Sequence, residues 1–196
     1  MNPTTSINIL IDRSASMYRL RDETIASINH YLERQAEVSR DVLVSLHQFA
    51  TTYGTNYVDV PVGMVPKLDR YSYDPMGGTA LHDALARLID DLGVRLAHLP
   101  AERRPGKVLV VVMTDGEENS SRTFSGEDVR ARIEHQRTKY AWEFVFLAAN
   151  QDAITKGASL GFSRGSSVNF DAKAGGVRRA IETLSARNAA YLRCET

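Results

Sequence analysis

Residues 106–116 read GKVLVVVMTDG, and this stretch decides the fold class. Its five consecutive aliphatic residues, from Val108 to Val112, are typical of a β-strand that is buried on both faces, as in the middle of a parallel sheet. The strand gives way to a polar turn at Asp115. A strand of this kind is covered by helices on both sides, so the flanking sequence should alternate between strands and helices.

The flanking sequence does alternate between two kinds of segment. Short apolar runs predict strands, and apolar residues spaced three and four apart predict helices. The predicted strands cover 7–12, 41–50, 57–62, 106–116, 142–150 and 166–170. The predicted helices cover 22–37, 80–98, 125–140, 152–160 and 173–192.

The order of these segments predicts the fold class. Strands separated by helices imply right-handed crossovers and a mostly parallel sheet with helices on both faces. The segments 41–50 and 57–62 are too close together for a crossover, so they should form an antiparallel hairpin at one edge. We expect an open α/β sheet of about six strands with one antiparallel edge strand, in a single domain spanning residues 1–196.

The composition narrows the classes of function. Lys plus Arg and Asp plus Glu each number 24, so no net charge favours binding to nucleic acid or to an anionic membrane. The single cysteine, Cys194, has no partner for an internal disulfide, which fits a reducing compartment. The N-terminal residues MNPTTS do not begin a signal peptide, and no apolar run approaches the ~20 residues of a membrane span. We therefore expect a cytoplasmic protein, and the sequence leaves its oligomeric state open.

Side chains with oxygen atoms follow the carboxyl ends of the predicted central strands, where ligands bind in open sheets of this kind. Asp12 ends the stretch ILID, and Ser14 and Ser16 follow it at every second position. In an extended segment these three side chains point the same way. Asp115 ends the central strand, and Thr79 stands just before the 80–98 helix. Two carboxylates and three hydroxyls are therefore expected at one edge of the sheet.

This donor set suits a hard divalent cation. Mg²⁺ takes oxygen ligands and usually leaves coordination positions for water or for an incoming ligand. Two aspartates balance the charge of a dication, and hydroxyl groups add no further negative charge. The bound metal would therefore remain able to accept a carboxylate from outside.

These motifs resemble the metal-ion-dependent adhesion site, or MIDAS, of von Willebrand factor type A (vWA) domains. The Asp-x-Ser-x-Ser motif of that family matches residues 12–16, its threonine matches Thr79, and its second aspartate matches Asp115. The resemblance covers nearly the whole chain and implies a Rossmann-like fold. The stretches GGTALHDAL and TDGEENSS are most similar to compact, stand-alone members from bacteria and phages.

The resemblance implies a role for each matched residue. Ser14, Ser16 and Thr79 would be metal ligands, Thr79 depending on the conformational state, and Asp12 and Asp115 would act directly or through bound water. The implied cofactor is Mg²⁺, with Mn²⁺ or Ca²⁺ as alternatives. An Asp or Glu side chain from a partner protein would complete the coordination, so the implied function is protein binding and not catalysis.

Two other functions remain open for the same residues. The first is a metal-dependent hydrolase or phosphatase, which would need an activated water or nucleophile. The sequence around Ser14 is no nucleophile elbow, and the five histidines show no H-E-x-x-H spacing. The second is a vestigial metal site in a domain that binds its partner through another face.

Three features near the expected site also have two interpretations. His82 and Asp83 could line its rim, but polar residues at a helix start are more often structural. Glu117 and Glu118 could recruit a second cation or repel acidic partners, but a solvated loop is the favoured interpretation. The aromatic stretch RYSYDP at 70–75 is equally compatible with a partner-contact patch and with a packed loop.

Overall fold

The computed structural model describes residues 2–149, 153–171 and 175–193. The strands are β1 Thr5–Asp12, β2 Val42–Phe49, β3 Tyr53–Pro61, β4 Lys107–Thr114, β5 Glu143–Ala149 and β6 Ser167–Phe170. The α-helices are α1 Arg21–Val38, α2 Leu81–His98, α3 Gly126–Tyr140, α4 Ala153–Ser159 and α5 Gly176–Arg193. Within these described residues, no helix combines the length and the apolar character needed to cross a membrane.

The six strands form one sheet in the order β3-β2-β1-β4-β5-β6. All neighbouring pairs are parallel except β2 and β3, which form an antiparallel hairpin at one edge. This confirms the predicted fold class, a Rossmann-like, mostly parallel sheet with one antiparallel edge strand. From β1 the chain continues to β2 on one side and later to β4 on the other, so the strand order reverses between β1 and β4. Ligand sites in such sheets lie at the carboxyl ends of the strands beside this reversal.

The apolar run of β4 is buried because the sheet has a core on each face. One core is shared with α1 and α5 and takes Leu109, Val111 and Met113. The other is shared with α2 and α3 and takes Val108, Val110 and Val112. Successive side chains of a strand point to opposite faces, so an unbroken aliphatic run is what a strand between two cores requires.

The predicted boundaries differ most at β3, which begins at Tyr53 and not at residue 57. Gly54 and Asn56 are poor strand formers, but the short turn after β2 brings this segment back against Phe49 and Gln48. Pairing with β2 therefore overrides the local preference. The predicted ends at residues 150, 152 and 173 lie outside the described residues, as does Cys194.

Candidate metal centre

Asp12 lies at the carboxyl end of β1, beside the point where the strand order reverses. Its side chain is fully buried and both carboxylate oxygens accept hydrogen bonds. Oδ1 accepts the backbone N–H of Ser14 at 2.6 Å, and Oδ2 accepts the hydroxyl of Thr114, the last residue of β4, also at 2.6 Å. The adjacent strand ends thereby fix the orientation of the carboxylate.

The two serines connect Asp12 with Asp115. Ser14 precedes a short 3₁₀ helix, Ala15–Leu20, and its Oγ lies 3.0 Å from the Oγ of Ser16. The Ser16 hydroxyl donates a hydrogen bond to Oδ1 of Asp115 at 2.6 Å. Side chains that are 99 residues apart in the sequence are therefore in direct contact.

Thr79 completes the group from a third loop. Its side chain is buried and lies close to Gly116, the residue after Asp115. A β-carbon at Gly116 would lie 3.1 Å from Oγ1 of Thr79, 3.4 Å from Oγ of Ser16 and 3.8 Å from Oδ2 of Asp12. Glycine, in the loop after β4, therefore leaves open a small space that faces oxygen atoms from the other two loops. The structure brings together the five residues that the sequence singled out.

Both carboxylates are in surroundings that disfavour their charged form. Burial raises the pKa of Asp12 to about 6, despite the hydrogen bonds from Thr114 and Ser14. Burial also raises the pKa of Asp115, against the effect of the Ser16 hydrogen bond. A divalent cation among these oxygens would reverse this effect, because it stabilises carboxylate anions.

The donor set fits a hard cation such as Mg²⁺. The five side chains supply carboxylate and hydroxyl oxygens, and two carboxylates match the charge of a dication. Among the residues that the structure describes, no three His, Cys, Asp or Glu side chains form a group able to hold a metal. The candidate centre therefore depends on hydroxyl oxygens as well as on carboxylates.

Asn119 holds the backbone of Thr79 from both sides. The N–H of Asn119 donates to the Thr79 carbonyl at 3.0 Å, and the Asn119 Oδ1 accepts the Thr79 N–H at 2.9 Å. Gly77, with φ of +79°, and Gly78 allow this approach. A β-carbon at Gly78 would lie only 2.2 Å from the Ser120 hydroxyl oxygen. The loop after Asp115 thus sets the position of Thr79.

Glu118 fastens the same loop to the first turn of α2. Its Oε1 accepts the N–H groups of Ser120 and Ser121, at 2.9 and 2.7 Å. Its Oε2 accepts the His82 N–H at 2.9 Å and the Ser121 hydroxyl at 2.7 Å. The residue before α2 provides no side-chain cap, so Glu118 acts as a helix cap from outside the helix.

Asp83 forms the reverse connection from α2 to this loop. Its carboxylate accepts the backbone N–H groups of Arg122, Thr123 and Phe124, at 2.8, 3.0 and 2.7 Å. The structural interpretation of Asp83 is therefore correct. The solvated-loop interpretation holds for Glu117, which is exposed and paired with Lys156, but is wrong for Glu118.

The aromatic stretch at 70–75 divides between the two interpretations that the sequence left open. Tyr73 is fully buried, and its hydroxyl donates to the backbone carbonyl of Asp12 at 2.7 Å. Tyr71, two residues earlier, is 97% exposed. One tyrosine is therefore a packed support of the centre, and the other lies on the surface.

Sequence reasoning missed the supporting roles of Thr114, Tyr73, Glu118 and Asn119. Thr114 had the clearest signal, because a strand that ends in Thr-Asp places a hydroxyl beside the carboxylate of the adjacent strand. The other three act on backbone groups that are distant in the sequence, and no spacing rule indicates such contacts.

Comparison with solved structures gives matches that share the fold. A von Willebrand factor type A protein from Catenulispora acidiphila matches 95% of the chain with a TM-score of 0.61 and 14% identity. Proximal thread matrix protein 1 from the mussel byssus, solved with zinc in its MIDAS motif, matches 95% with a TM-score of 0.65 and 12% identity. The pilus adhesin SpaC from Lactobacillus rhamnosus GG matches 96% with a TM-score of 0.67 and 13% identity. The chain has a vWA-like fold.

The vWA-like fold of this chain corresponds to part of each matched structure. The chain spans 43%, 48% and 30% of those three proteins, in the order given above. No protein-family model and no curated protein matches the sequence. One vWA-like structure carries a divalent metal in its MIDAS, which makes a divalent metal plausible for this fold.

Proposed function

We propose that this vWA-like domain is a metal-dependent protein-binding module. Mg²⁺ would be held by Asp12, Ser14, Ser16, Thr79 and Asp115, and it would bind an Asp or Glu carboxylate of a partner protein. The metal supplies a positive charge with a free coordination position. The residues of the chain supply its ligands, balance its charge and fix the three loops relative to one another.

The observation that carries this proposal is the convergence of the three loops in front of Gly116. Oxygen atoms of Thr79, Ser16 and Asp12 all face the small space that the missing side chain leaves open. Two carboxylates with raised pKa values lie in the same group, Asp12 fully buried and Asp115 partly buried. Burying like charges together is costly without a cation, so a bound cation explains the arrangement.

Calorimetry of the metal-free chain with MgCl₂, and separately with MnCl₂, tests the metal site. We expect binding of one cation and a rise in melting temperature, since a ligand that binds only the folded state stabilises it. The double substitution Ser14→Ala and Ser16→Ala should abolish both effects. Ser39→Ala is a matched control, because Ser39 follows the C-terminal end of α1, whereas the N-terminal end of α1 follows the loop with Ser14 and Ser16. The absence of any binding heat or thermal shift would instead support a vestigial site.

A comparison of partner capture in Mg²⁺ and in EDTA tests the carboxylate-binding step. Partners that depend on the metal should be lost in EDTA and with Asp12→Ala. A captured protein should also lose binding when its own contacting Asp or Glu is replaced. Partner capture that is unaffected by EDTA would contradict the proposal.

The hydrolase alternative gains no support from the contacts of the site. Among the described residues, no histidine or lysine side chain hydrogen-bonds to any of the five site residues, so the contacts of Ser14 include no serine–histidine or serine–lysine pair. The SpaC structure is that of an adhesin, which agrees with a binding role. A panel of phosphate esters assayed with and without Mg²⁺ tests this alternative, and metal-dependent turnover would support it. A cytoplasmic location is part of our proposal and depends on the sequence alone.

A further inference from the structure

Three exposed apolar side chains lie in the two segments that border the metal centre on one side. Tyr18 is 64%, Tyr71 97% and Met76 53% exposed. The two segments are joined beside the centre, because the N–H of Met76 donates to the carbonyl of Arg13 at 2.7 Å. Arg21 joins the two segments again, because its guanidinium carbon lies 5.6 Å from the centre of the Tyr18 ring and its Nη1 lies 2.8 Å from Asp74. Exposed apolar groups on adjoining segments indicate an interaction surface.

The turn that carries Tyr71 is rigid. Oδ1 of Asp69 accepts the N–H groups of Tyr71 and Ser72, at 2.9 and 2.7 Å. The Ser72 carbonyl accepts a hydrogen bond from the side chain of Gln48 in β2 at 2.7 Å. Tyr71 therefore stands on a backbone that is fixed both within the turn and against the sheet.

The same turn is anchored to the metal centre through Tyr73. The Tyr73 hydroxyl donates to the carbonyl of Asp12, so the distance between the Tyr71 backbone and the centre is fixed. An aromatic side chain on a preorganised backbone loses little conformational entropy when it contacts a partner. Tyrosine is also one of the residues that most often dominate interface energies.

Two ion pairs on this side leave the side chain of Arg19 without a charged partner. Arg21 pairs with Asp74 at 2.8 Å, and Arg70 pairs with Asp22. The exposed side chain of Arg19 has no hydrogen bond or ion pair among the described residues, and Arg19 lies three residues after Ser16 in the 3₁₀ helix Ala15–Leu20. In the loop after Asp115, Glu118 adds a negative charge, whereas Glu117 is paired with Lys156. An acidic partner is therefore attracted to the side of the centre that carries Arg19.

We propose that Tyr18, Arg19, Tyr71 and Met76 form a docking surface for an acidic protein segment whose Asp or Glu binds the metal. The inference rests on the proposed function and adds the side of approach and the chemistry of the partner. The segment would place an apolar side chain against Tyr71 and a second acidic residue near Arg19. This surface would decide which carboxylate-bearing proteins bind.

Random peptides displayed on phage and selected on the full chain in MgCl₂ provide the probe. We expect enriched peptides to contain an acidic residue with apolar and acidic neighbours, and to lose binding in EDTA. Tyr71→Ala should lower the affinity for these peptides by about tenfold or more. Arg19→Ala should lower the affinity for the peptides that contain a second acidic residue. Tyr140→Ala is the matched control, because Tyr140 is 54% exposed at the far end of α3.

Calorimetry with MgCl₂ on the same variants separates this inference from the proposed function. Tyr71→Ala should leave the magnesium affinity unchanged, since Tyr71 contacts none of the five site residues. If the wild-type chain binds Mg²⁺ but selects no metal-dependent peptide, or if the selected peptides bind Tyr71→Ala as well as the wild type, the docking surface is refuted and the metal site stands. If the wild-type chain binds no Mg²⁺, the proposed function fails and this inference fails with it.

Discussion

Replacing Glu118 with Gln should destabilise the chain strongly, although the two side chains have nearly the same shape. The Glu118 carboxylate accepts four hydrogen bonds, two on each oxygen. In Gln one of these oxygens becomes an NH₂ group, which cannot accept a hydrogen bond. Whichever way the amide is oriented, two donors lose their acceptor.

The magnitude follows from the number of lost hydrogen bonds. A hydrogen bond to a charged group contributes about 1.5–3 kcal/mol to stability. The side chain is 22% exposed, so water partly replaces the lost acceptor and the lower value applies. Two lost bonds then reduce the free energy of unfolding by about 3 kcal/mol. The hydrogen bonds also lower the pKa of Glu118 despite its burial, which agrees with a carboxylate held by many donors.

Glu117→Gln is the matched control for this prediction. Glu117 is the preceding residue, its side chain is 82% exposed, and its partner is the surface residue Lys156. An exposed ion pair contributes at most about 1 kcal/mol. Urea denaturation of both variants in EDTA, monitored by circular dichroism, measures the difference in free energy of unfolding without a contribution from bound metal.

The same pair of variants connects stability with the metal centre. Because the Glu118 loop carries Asn119, which holds Thr79, the Glu118→Gln variant should also bind Mg²⁺ more weakly than the wild type in calorimetry. Equal destabilisation by the two substitutions would refute the assigned role of Glu118. Unchanged magnesium affinity with a strongly reduced stability would show that the loop supports the fold but does not position Thr79.

Three further predictions concern other residues. Burial, and secondarily Arg95, lowers the pKa of His47 to about 4, so the wild type should lose about 3 kcal/mol of stability as the pH falls from 6.5 to 4. His47→Gln should remove that part of the loss, and a variant with the same pH dependence of stability as the wild type would contradict the prediction. Gly116→Ala should weaken Mg²⁺ binding about tenfold or more in calorimetry, because the methyl group would lie 3.1 Å from Oγ1 of Thr79; unchanged affinity would place the cation elsewhere. Tyr73→Phe should lower the free energy of unfolding in urea by about 1–2 kcal/mol, because the buried carbonyl of Asp12 loses its hydrogen-bond donor. A change near zero would mean that water replaces the hydroxyl.

Much of the candidate centre was predictable because it depends on strand geometry. Asp12 and Asp115 follow the buried strands β1 and β4, and parallel neighbouring strands bring their carboxyl ends together. The spacing of Ser14 and Ser16 reflects the alternation of an extended chain. Thr79 had the weakest local signal, a hydroxyl just before a predicted helix, and the resemblance to vWA domains supported its assignment to the site.

The sequence by itself determined the α/β class and the hairpin at one edge, and it singled out the five residues that come together at the candidate metal centre. The spacing of apolar residues and the order of the segments along the chain can be read directly from the sequence. Only the tertiary structure decided that Glu118 caps α2, that Asn119 holds Thr79, and that Tyr73 is buried while Tyr71 is exposed. These roles depend on which backbone N–H and C=O groups lie opposite each side chain after folding. That information belongs to pairs of residues tens of positions apart, so it cannot be read from either member of a pair alone.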